Sequence, residues 1–339
     1  MTQMDIVVIG ASAGGVNALK RLVSLLPEDL SAALFVVQHL PPQAHSVLHD
    51  ILSRNGPLPA APAAHGGRLK AGTITVAPPN FHLIVKVDHV AVILGPRENR
   101  ARPSIDVLFR SAAAYHTTRV KAILLTGYLN DGVKGLSAVK RCGGVVVVQR
   151  PDECEASDLP QAAIDRVAVD RILSLDEIAE FIANPIPPPD SPSIRVPEDI
   201  LEDVRVSEHV LPELDRMHAN GRLTPYSCPE CGGALWRSTE GAPTRYRCHT
   251  GHAFSQDSFL QGQADVIENS LWSVIRLVQE RIDILQTMIA ANTAEGRHAQ
   301  AGHLENKMEE MKHHVRTLRR SILSGILKLT TENKDAETG

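Results

Sequence analysis

Four continuous apolar runs rich in valine and isoleucine constrain the fold of this chain more than any other feature. These runs are residues 5–9, 33–38, 120–126 and 144–149. Amphipathic or alanine-rich segments lie between most of them. Strands with nearly continuous apolar residues are buried on both faces, which is typical of a parallel sheet covered by helices. The pattern therefore predicts a doubly wound, mostly parallel α/β domain, closed by a helix at 176–183. Weaker strand patterns at 73–77, 82–87 and 90–94 predict extra strands, the last two as an inserted hairpin.

A proline-rich segment separates this domain from the rest of the chain. Residues 184–197 contain six prolines, so they predict a semi-rigid linker. The remaining divisions follow from composition and spacing. We expect an α/β domain at 1–183, the linker at 184–197, a short helical segment at 198–223, a cysteine-containing ribbon at 224–254, a helical hairpin at 255–330 and a disordered tail at 331–339.

Two apolar seams predict the helical hairpin. The first is Leu271, Ile275, Val278, Ile282, Leu285 and Ile289, and the second is Leu304, Met308, Met311, Val315, Leu318 and Ile322. Alternating spacings of four and three residues are typical of coiled-coil seams, and the polar stretch 292–297 between them predicts an antiparallel turn. The spacing reports burial and not the partner. The two helices can therefore cover only each other, or also serve a signalling partner or a second copy.

Composition excludes some classes of function. With 339 residues, 43% of them hydrophobic, the chain can bury a full core and form a second unit. A net charge of -4 argues against a broad electrostatic attraction for nucleic acid. No run approaches the roughly 18 apolar residues of a spanning helix, and the chain does not start with a charged region followed by an apolar stretch. We therefore expect no membrane insertion and a cytoplasmic location.

A turn rich in small residues follows the first apolar run. Gly10-Ala11-Ser12-Ala13-Gly14-Gly15 lies where a buried strand should become a helix, and Ser12 is flanked by residues without bulk. This is the pattern of a nucleophile elbow, in which the new helix offers free N–H groups to a developing oxyanion. A phosphate-binding turn is the alternative. It is disfavoured because Ser12 occupies the middle glycine position of the dinucleotide motif.

A histidine and an aspartate follow two other predicted strands. His39 comes directly after the run 33–38, and Asp131 follows the run 120–126. Ligands and catalytic groups gather at the carboxyl ends of parallel strands, so we expect Ser12, His39 and Asp131 to lie close together. A serine hydroxyl needs such a base, and the base needs an orienting acceptor. The alternative for Asp131 is a cap for the helix that begins near Gly132.

The cysteine spacing beyond the linker predicts a metal site. Cys228 and Cys231 form one Cys-x-x-Cys pair, and Cys248 and His252 supply a third thiolate and an imidazole. Four protein ligands close a tetrahedral zinc site and leave no open position, so the role is structural and no cofactor is expected for catalysis. His249 directly follows Cys248 and is expected to point away.

Five ordered motifs resemble the catalytic domain of the chemotaxis protein-glutamate methylesterases. They are the stretches 9–15, 38–41, 102–109, 125–132 and 158–164, within a match that spans about residues 1–183. The resemblance implies that Ser12 is the nucleophile, His39 the general base and then acid, and Asp131 its orienting partner. It also implies hydrolysis of glutamate γ-methyl esters on the cytoplasmic segments of chemoreceptors, and deamidation of glutamine.

The chain departs from the family pattern at the pocket. Ala13 stands where the family commonly has threonine, and Tyr128-Leu129 stand where Met-Gly is common. We expect Ala13, Gly14 and Tyr128 to shape the oxyanion and acyl pocket, where a backbone N–H survives substitution. Because the catalytic strand begins at Asp5, we expect no receiver domain. Two alternatives stay open: a catalytically weak scaffold that binds receptor segments, and a small-molecule esterase.

Overall fold

In a computed structural model of the chain, the described residues are 4–40, 46–187, 194–208, 218, 221–238 and 243–323. The chain divides into two compact units, Met1–Phe259 and Leu260–Gly339.

A seven-stranded sheet forms the centre of the first unit. Its strands are β1 (Ile6–Ala11), β2 (Ala33–Gln38), β3 (Ala60–Pro62), β4 (Thr73–Val76), β7 (Val120–Leu124), β8 (Val145–Gln149) and β9 (Arg171–Leu173). Their order is β3-β4-β2-β1-β7-β8-β9, and every neighbouring pair is parallel. The predicted fold class is confirmed. The expected strand at 73–77 joins this sheet beside β2.

Helices cover both faces of the sheet. They are α1 (Gly15–Ser24), α2 (Leu48–Asn55), α3 (Ile105–His116), α4 (Val133–Arg141), α5 (Asp158–Arg166) and α6 (Leu175–Ala183). Alternate residues of β1 enter opposite cores, with Ile6 and Val8 in one cluster and Val7 and Ile9 in the other. This two-sided burial explains why the central strands are apolar at most positions on both faces.

The inserted hairpin is present as a separate two-stranded sheet. Strands β5 (His82–Val85) and β6 (Val90–Ile93) pair antiparallel. Val85 N donates to Ser111 Oγ on α3 at 3.1 Å, which ties the hairpin to that helix.

A short helix and a small antiparallel sheet follow. Helix α7 is Glu198–Ser207, and the predicted linker residues 188–193 lie outside the described residues. The sheet contains β10 (Gly221–Ser227), β11 (Ala234–Ser238), β12 (Arg245–Cys248) and β13 (Ala253–Ser255), paired in that order. We call this four-stranded sheet with its connecting turns the ribbon.

Two long helices follow the ribbon in the sequence. Helix α8 is Gln256–Ala294 and α9 is His298–Leu323, and in the second unit Ile275, Ile282 and Val315 form a buried cluster. The predicted polar break at 292–297 is shorter than expected, since α8 continues to Ala294 and the turn contains Gly296 at φ +73°. The predicted tail at 331–339 lies outside the described residues. Among the helices that the structure describes, none is long and apolar enough to cross a membrane.

Candidate active site and metal centre

Ser12 lies in a tight turn between β1 and α1. Its N–H donates to Thr126 O at 3.0 Å, and its carbonyl accepts from Gly15 N at 2.9 Å. Gly14 has φ +75°, which favours glycine. A Cβ on Gly127 would lie 2.7 Å from the Cβ of Ser12, so position 127 in the neighbouring loop must also lack a side chain. Small residues in two segments therefore make room for the serine.

Gln38 connects the serine turn to the histidine. Its Nε2 donates to Ser12 O at 2.8 Å and to His39 O at 3.0 Å, from the last position of β2. The side chain is buried, with 5% of its surface exposed. The sequence does not predict this role, because a glutamine at a strand end carries no local signal for such a bridge.

The three predicted site residues form one hydrogen-bonded chain. His39 Nδ1 lies 3.2 Å from Ser12 Oγ, and His39 Nε2 lies 2.8 Å from Asp131 Oδ2. An ionised carboxylate only accepts hydrogen bonds, so Nε2 carries the proton. The lone pair of Nδ1 then faces the serine hydroxyl, which is the arrangement a general base requires.

Asp131 is buried and surrounded by donors. Its carboxylate accepts from Ser104 Oγ at 2.8 Å, Ile105 N at 2.7 Å and Asn99 Nδ2 at 2.9 Å, in addition to His39. Burial opposes ionisation, but the hydrogen bonds and charge of His39 and the donors Asn99 and Ile105 N–H outweigh it. The pKa of Asp131 therefore lies below its ordinary value. The carboxylate stays ionised beside the imidazole.

Asp131 accepts at the start of α3, not at the start of α4 as the alternative interpretation of this residue predicted. The helix that follows it, α4, has Gly132 at its N-cap with no side-chain cap, whereas Asp131 accepts from Ile105 N in the first turn of α3. Asp106 of α3 in turn accepts from Gly132 N at 3.0 Å and Gly135 N at 2.6 Å. The start of α3 is thus paired with the carboxylate that precedes α4, and the start of α4 with a carboxylate in the first turn of α3. Burial and the neighbouring Asp131 raise the pKa of Asp106 to about 6.

A cleft opens above the hydrogen-bonded chain. Its volume is ≈ 370 Å³, and Ser12, His39 and Asp131 line it together with Tyr128 and Leu129. Tyr128 is 59% exposed and Leu129 is 45% exposed. Two residues that depart from the family pattern therefore lie at the mouth of the cleft, where a substrate would enter.

Backbone donors lie next to the serine. Among the described residues, no backbone hydrogen bond uses the N–H of Ala13 or Gly14. Helix α1 begins immediately afterwards, at Gly15, so its positive dipole end faces the same region. These groups can hold a developing negative charge, and a change of side chain at position 13 leaves them in place.

The ribbon brings together the predicted metal ligands. One atom from each of Cys228, Cys231, Cys248 and His252 lies within 4.8 Å of all the others. The sulfurs of Cys231 and Cys248 are 3.7 Å apart, and His252 Nδ1 is 3.6 Å from Cys248 Sγ. A tetrahedral zinc with Zn–S bonds of about 2.3 Å has ligands about 3.8 Å apart, so the set fits such an ion.

Two turns shape this cluster. Cys228 N donates to Gly233 O and Gly232 N donates to Cys228 O, and the second turn repeats the pattern between Cys248 and His252. His249 lies outside the cluster, as expected, with its ring against Gly233: a Cβ there would lie 2.2 Å from His249 Cε1.

Comparisons with known proteins agree with the fold. A family model described as CheB methylesterase matches residues 7–182. The crystal structure of the Thermotoga maritima CheB methylesterase catalytic domain superposes with a TM-score of 0.52 at 31% identity, covering 54% of this chain and 98% of that one.

Curated relatives match the same region. The protein-glutamate methylesterase/protein-glutamine glutaminase 2 of Methanosarcina acetivorans is 36% identical over 186 residues, which is 52% of this chain and 52% of that protein. A Leptospira interrogans protein named for the same two activities is 37% identical over 178 residues, covering 52% of this chain and 92% of that protein. The chain thus spans about half of the first relative and most of the second.

The fold and these relatives define a carboxylic ester hydrolase. The family model covers more than half of the chain, so this protein belongs to the CheB methylesterase family. The resemblance drawn from the sequence motifs is therefore confirmed for the family, while the matched region ends before the ribbon and the long helices.

Proposed function

We propose that this protein is a serine esterase that hydrolyses glutamate γ-methyl esters on chemoreceptors, with Ser12, His39 and Asp131 as its catalytic triad. The observation that carries the proposal is the continuous hydrogen-bonded chain from Ser12 Oγ through His39 to Asp131 at the base of an open cleft. The names of the relatives supply the class of substrate.

The reaction follows from this geometry. Ser12 Oγ attacks the γ-carbonyl carbon while His39 Nδ1 takes the hydroxyl proton, giving a tetrahedral oxyanion and an imidazolium paired with Asp131. The C–O bond to the methoxy group then breaks, and His39 returns the proton so that methanol leaves. Water, deprotonated by His39, then attacks the carbonyl carbon of the resulting Ser12 ester. The acyl–oxygen bond breaks, His39 returns the proton to Ser12 Oγ, and the glutamate side chain leaves as a carboxylic acid that ionises to the carboxylate.

The oxyanion needs donors in both tetrahedral steps. The N–H groups of Ala13 and Gly14 are adjacent to Ser12 and are used in no other backbone hydrogen bond within the described residues. Removal of a single oxyanion donor typically costs a factor of about 10²–10³ in turnover. Tyr128 and Leu129, at the mouth of the same cleft, then select the ester by shape.

Glutamine deamidation uses the same steps with ammonia as the leaving group. Attack of Ser12 on the side-chain amide carbon gives the same acyl-enzyme, and His39 protonates the departing nitrogen. The relatives are named for both activities. The ribbon cluster holds a structural zinc in this account, since its four ligands leave no position open for a substrate.

Methanol release from methylated receptor membranes tests the proposal. Wild type should release methanol, and Ser12→Ala should lower the rate by about 10⁶-fold. Ser24→Ala is the matched control, because Ser24 lies in the exposed last turn of α1 and its hydroxyl donates only to Arg21 O. Methanol release by Ser12→Ala at the wild-type rate would exclude Ser12 as the nucleophile. If the wild-type protein binds receptor segments without turnover, it is a scaffold. If it cleaves only short esters, it is a small-molecule esterase.

A further inference from the structure

The ribbon contacts the active site through one asparagine. Asn99 lies in a turn between Glu98 and Ala101, with φ +50°. Its backbone N–H donates to Ala253 O at 2.8 Å, and its side-chain Oδ1 accepts from Ser255 N at 2.8 Å and from Ser258 Oγ at 3.1 Å. The acceptor end of this amide is therefore occupied by the ribbon and the first turn of α8.

The donor end of the same amide points at two buried carboxylates. Asn99 Nδ2 donates to Asp131 Oδ1 and to Asp106 Oδ2, each at 2.9 Å. An amide that flipped would turn its oxygen towards both carboxylates and its NH₂ towards the N–H of Ser255. The Ser255 N–H, a fixed backbone donor, thus determines which way the amide faces.

The ribbon also holds the loop that carries Asp131. Ser255 Oγ donates to Asn130 Oδ1 at 2.7 Å, and Asn130 Nδ2 donates to Asp257 Oδ2 at 2.6 Å. Asn130 is 3% exposed and directly precedes Asp131. Two independent contacts therefore connect the end of β13 to the position of the carboxylate.

Buried charges fix the ribbon to the α/β domain. Glu98, next to Asn99, pairs with Arg110 of α3 at 2.9 Å and with Arg245 of β12. Arg245 and Arg247 both pair with Asp203 of α7, at 3.0 Å and 2.8 Å. Removing one partner of such a buried pair leaves an uncompensated charge, so the ribbon has one favoured position.

The metal cluster and the contacts to Asn99 share one small sheet. Cys248 follows Arg247 in β12, and Arg245 of β12 pairs with Ser255 of β13. The order of β12 and β13 depends on the turn from Cys248 to His252, which the four metal ligands close. Disorder at the metal cluster would therefore also displace Ser255 and the Asn99 amide that it holds.

We propose that Asn99 is a positioning residue for Asp131, and that the ribbon holds it in the productive orientation, so that an intact ribbon supports hydrolysis at Ser12. This inference rests on the proposed function of Ser12, His39 and Asp131. It adds a role for a segment beyond the region that the family model matches.

A double-mutant cycle in the full chain tests the proposal. Turnover of p-nitrophenyl acetate is measured for wild type, Asn99→Ala, Cys231→Ser and the double variant, with Cys154→Ser as the control thiol outside the cluster. Asn99→Ala should lower kcat by about 10- to 100-fold, the effect of losing a hydrogen bond to a charged group, and change KM much less. Cys231→Ser should lower kcat in wild type but by no more than about twofold in Asn99→Ala, because both changes act through one amide.

A spectroscopic signal follows the same contact without turnover. The proton between His39 Nε2 and Asp131 can be observed by NMR with ¹⁵N-labelled histidine and assigned with His39→Gln. It should shift in the same direction in Asn99→Ala and Cys231→Ser and stay unchanged in Cys154→Ser. If Asn99→Ala does not fold, Ser258→Ala removes the donor to Asn99 Oδ1 that lies in the first turn of α8 without touching either carboxylate, and its kcat should fall by about 2- to 10-fold.

The outcomes separate this proposal from the proposed function. Wild-type kcat in folded Asn99→Ala, wild-type kcat in Ser258→Ala, or losses that multiply in the double variant would overturn the role of Asn99 while leaving the triad intact. Absence of both turnover and fluorophosphonate labelling of Ser12 in wild type would instead refute the proposed function.

Discussion

Replacing Asp131 with asparagine isolates the charge of the proposed triad from its shape. The N–H of Ile105 donates to Asp131 Oδ2, the same oxygen that faces His39. An asparagine at this position therefore keeps its oxygen there, and His39 keeps its proton on Nε2. Asp131→Asn loses the negative charge beside the imidazolium that forms when Ser12 transfers its proton. Its NH₂ also replaces Oδ1, which accepts from Ser104 Oγ and Asn99 Nδ2, so those two hydrogen bonds are lost with the charge.

The size of the loss follows from the distance. His39 Nε2 and Asp131 Oδ2 are 2.8 Å apart, which places the two charge centres about 4 Å apart. At an effective dielectric constant of about 20, the interaction is worth about 4 kcal/mol, or roughly 10³-fold in rate. We expect kcat for p-nitrophenyl acetate to fall by about this factor in Asp131→Asn. The surface control Asp29→Asn should have an unchanged melting profile. A folded Asp131→Asn within tenfold of wild type would refute the assigned role of the carboxylate.

Three further changes test the surroundings of the site. Burial alone would raise the pKa of Glu98 and Asp203, but their arginine partners outweigh it and hold both pKa values below the ordinary range. Their contribution to the free energy of unfolding is therefore present above about pH 4 and is lost as the pH falls further. Urea denaturation at a series of pH values measures this loss, and a free energy of unfolding that does not fall below pH 4 would contradict it. Gly127→Ala places a methyl group 2.7 Å from the Cβ of Ser12, so it should lower kcat and reduce the free energy of unfolding by about 1–3 kcal/mol; wild-type kinetics would show that the turn is not tightly packed. Purified protein should contain one zinc per chain, and chelation should make the ribbon sensitive to protease; a metal-free ribbon that resists protease would exclude the structural role.

The sequence predicted the strands that carry the site because their burial leaves a local pattern. The runs before Ser12, His39 and Asp131 are apolar at most positions, and parallel strands end at one edge of a sheet, so the meeting of the three residues could be inferred without coordinates. Strands β3 and β9 were not predicted. Each has three residues at an edge of the sheet, and their side chains are partly or fully exposed. Neither strand therefore shows a periodic pattern of apolar residues.

The residues that support the site could not be predicted in the same way. Asn99 and Ser255 are 156 positions apart and meet only because the ribbon folds back onto the α/β domain. Asp106 lies in the first turn of α3, and it accepts hydrogen bonds from Gly132 N and Gly135 N at the start of α4. For Asp131 the expected alternative was a cap for α4, whereas it accepts from α3. Long-range hydrogen bonds of this kind have no signature in local spacing.

Mass spectrometry of the fluorophosphonate adduct tests the central claim most directly. Wild type should give a single fast adduct on Ser12. Labelling of the same serine should be slowed by orders of magnitude in His39→Gln, because the imidazole 3.2 Å away removes the hydroxyl proton. An adduct on another serine, or labelling of Ser12 at the wild-type rate in His39→Gln, would contradict it.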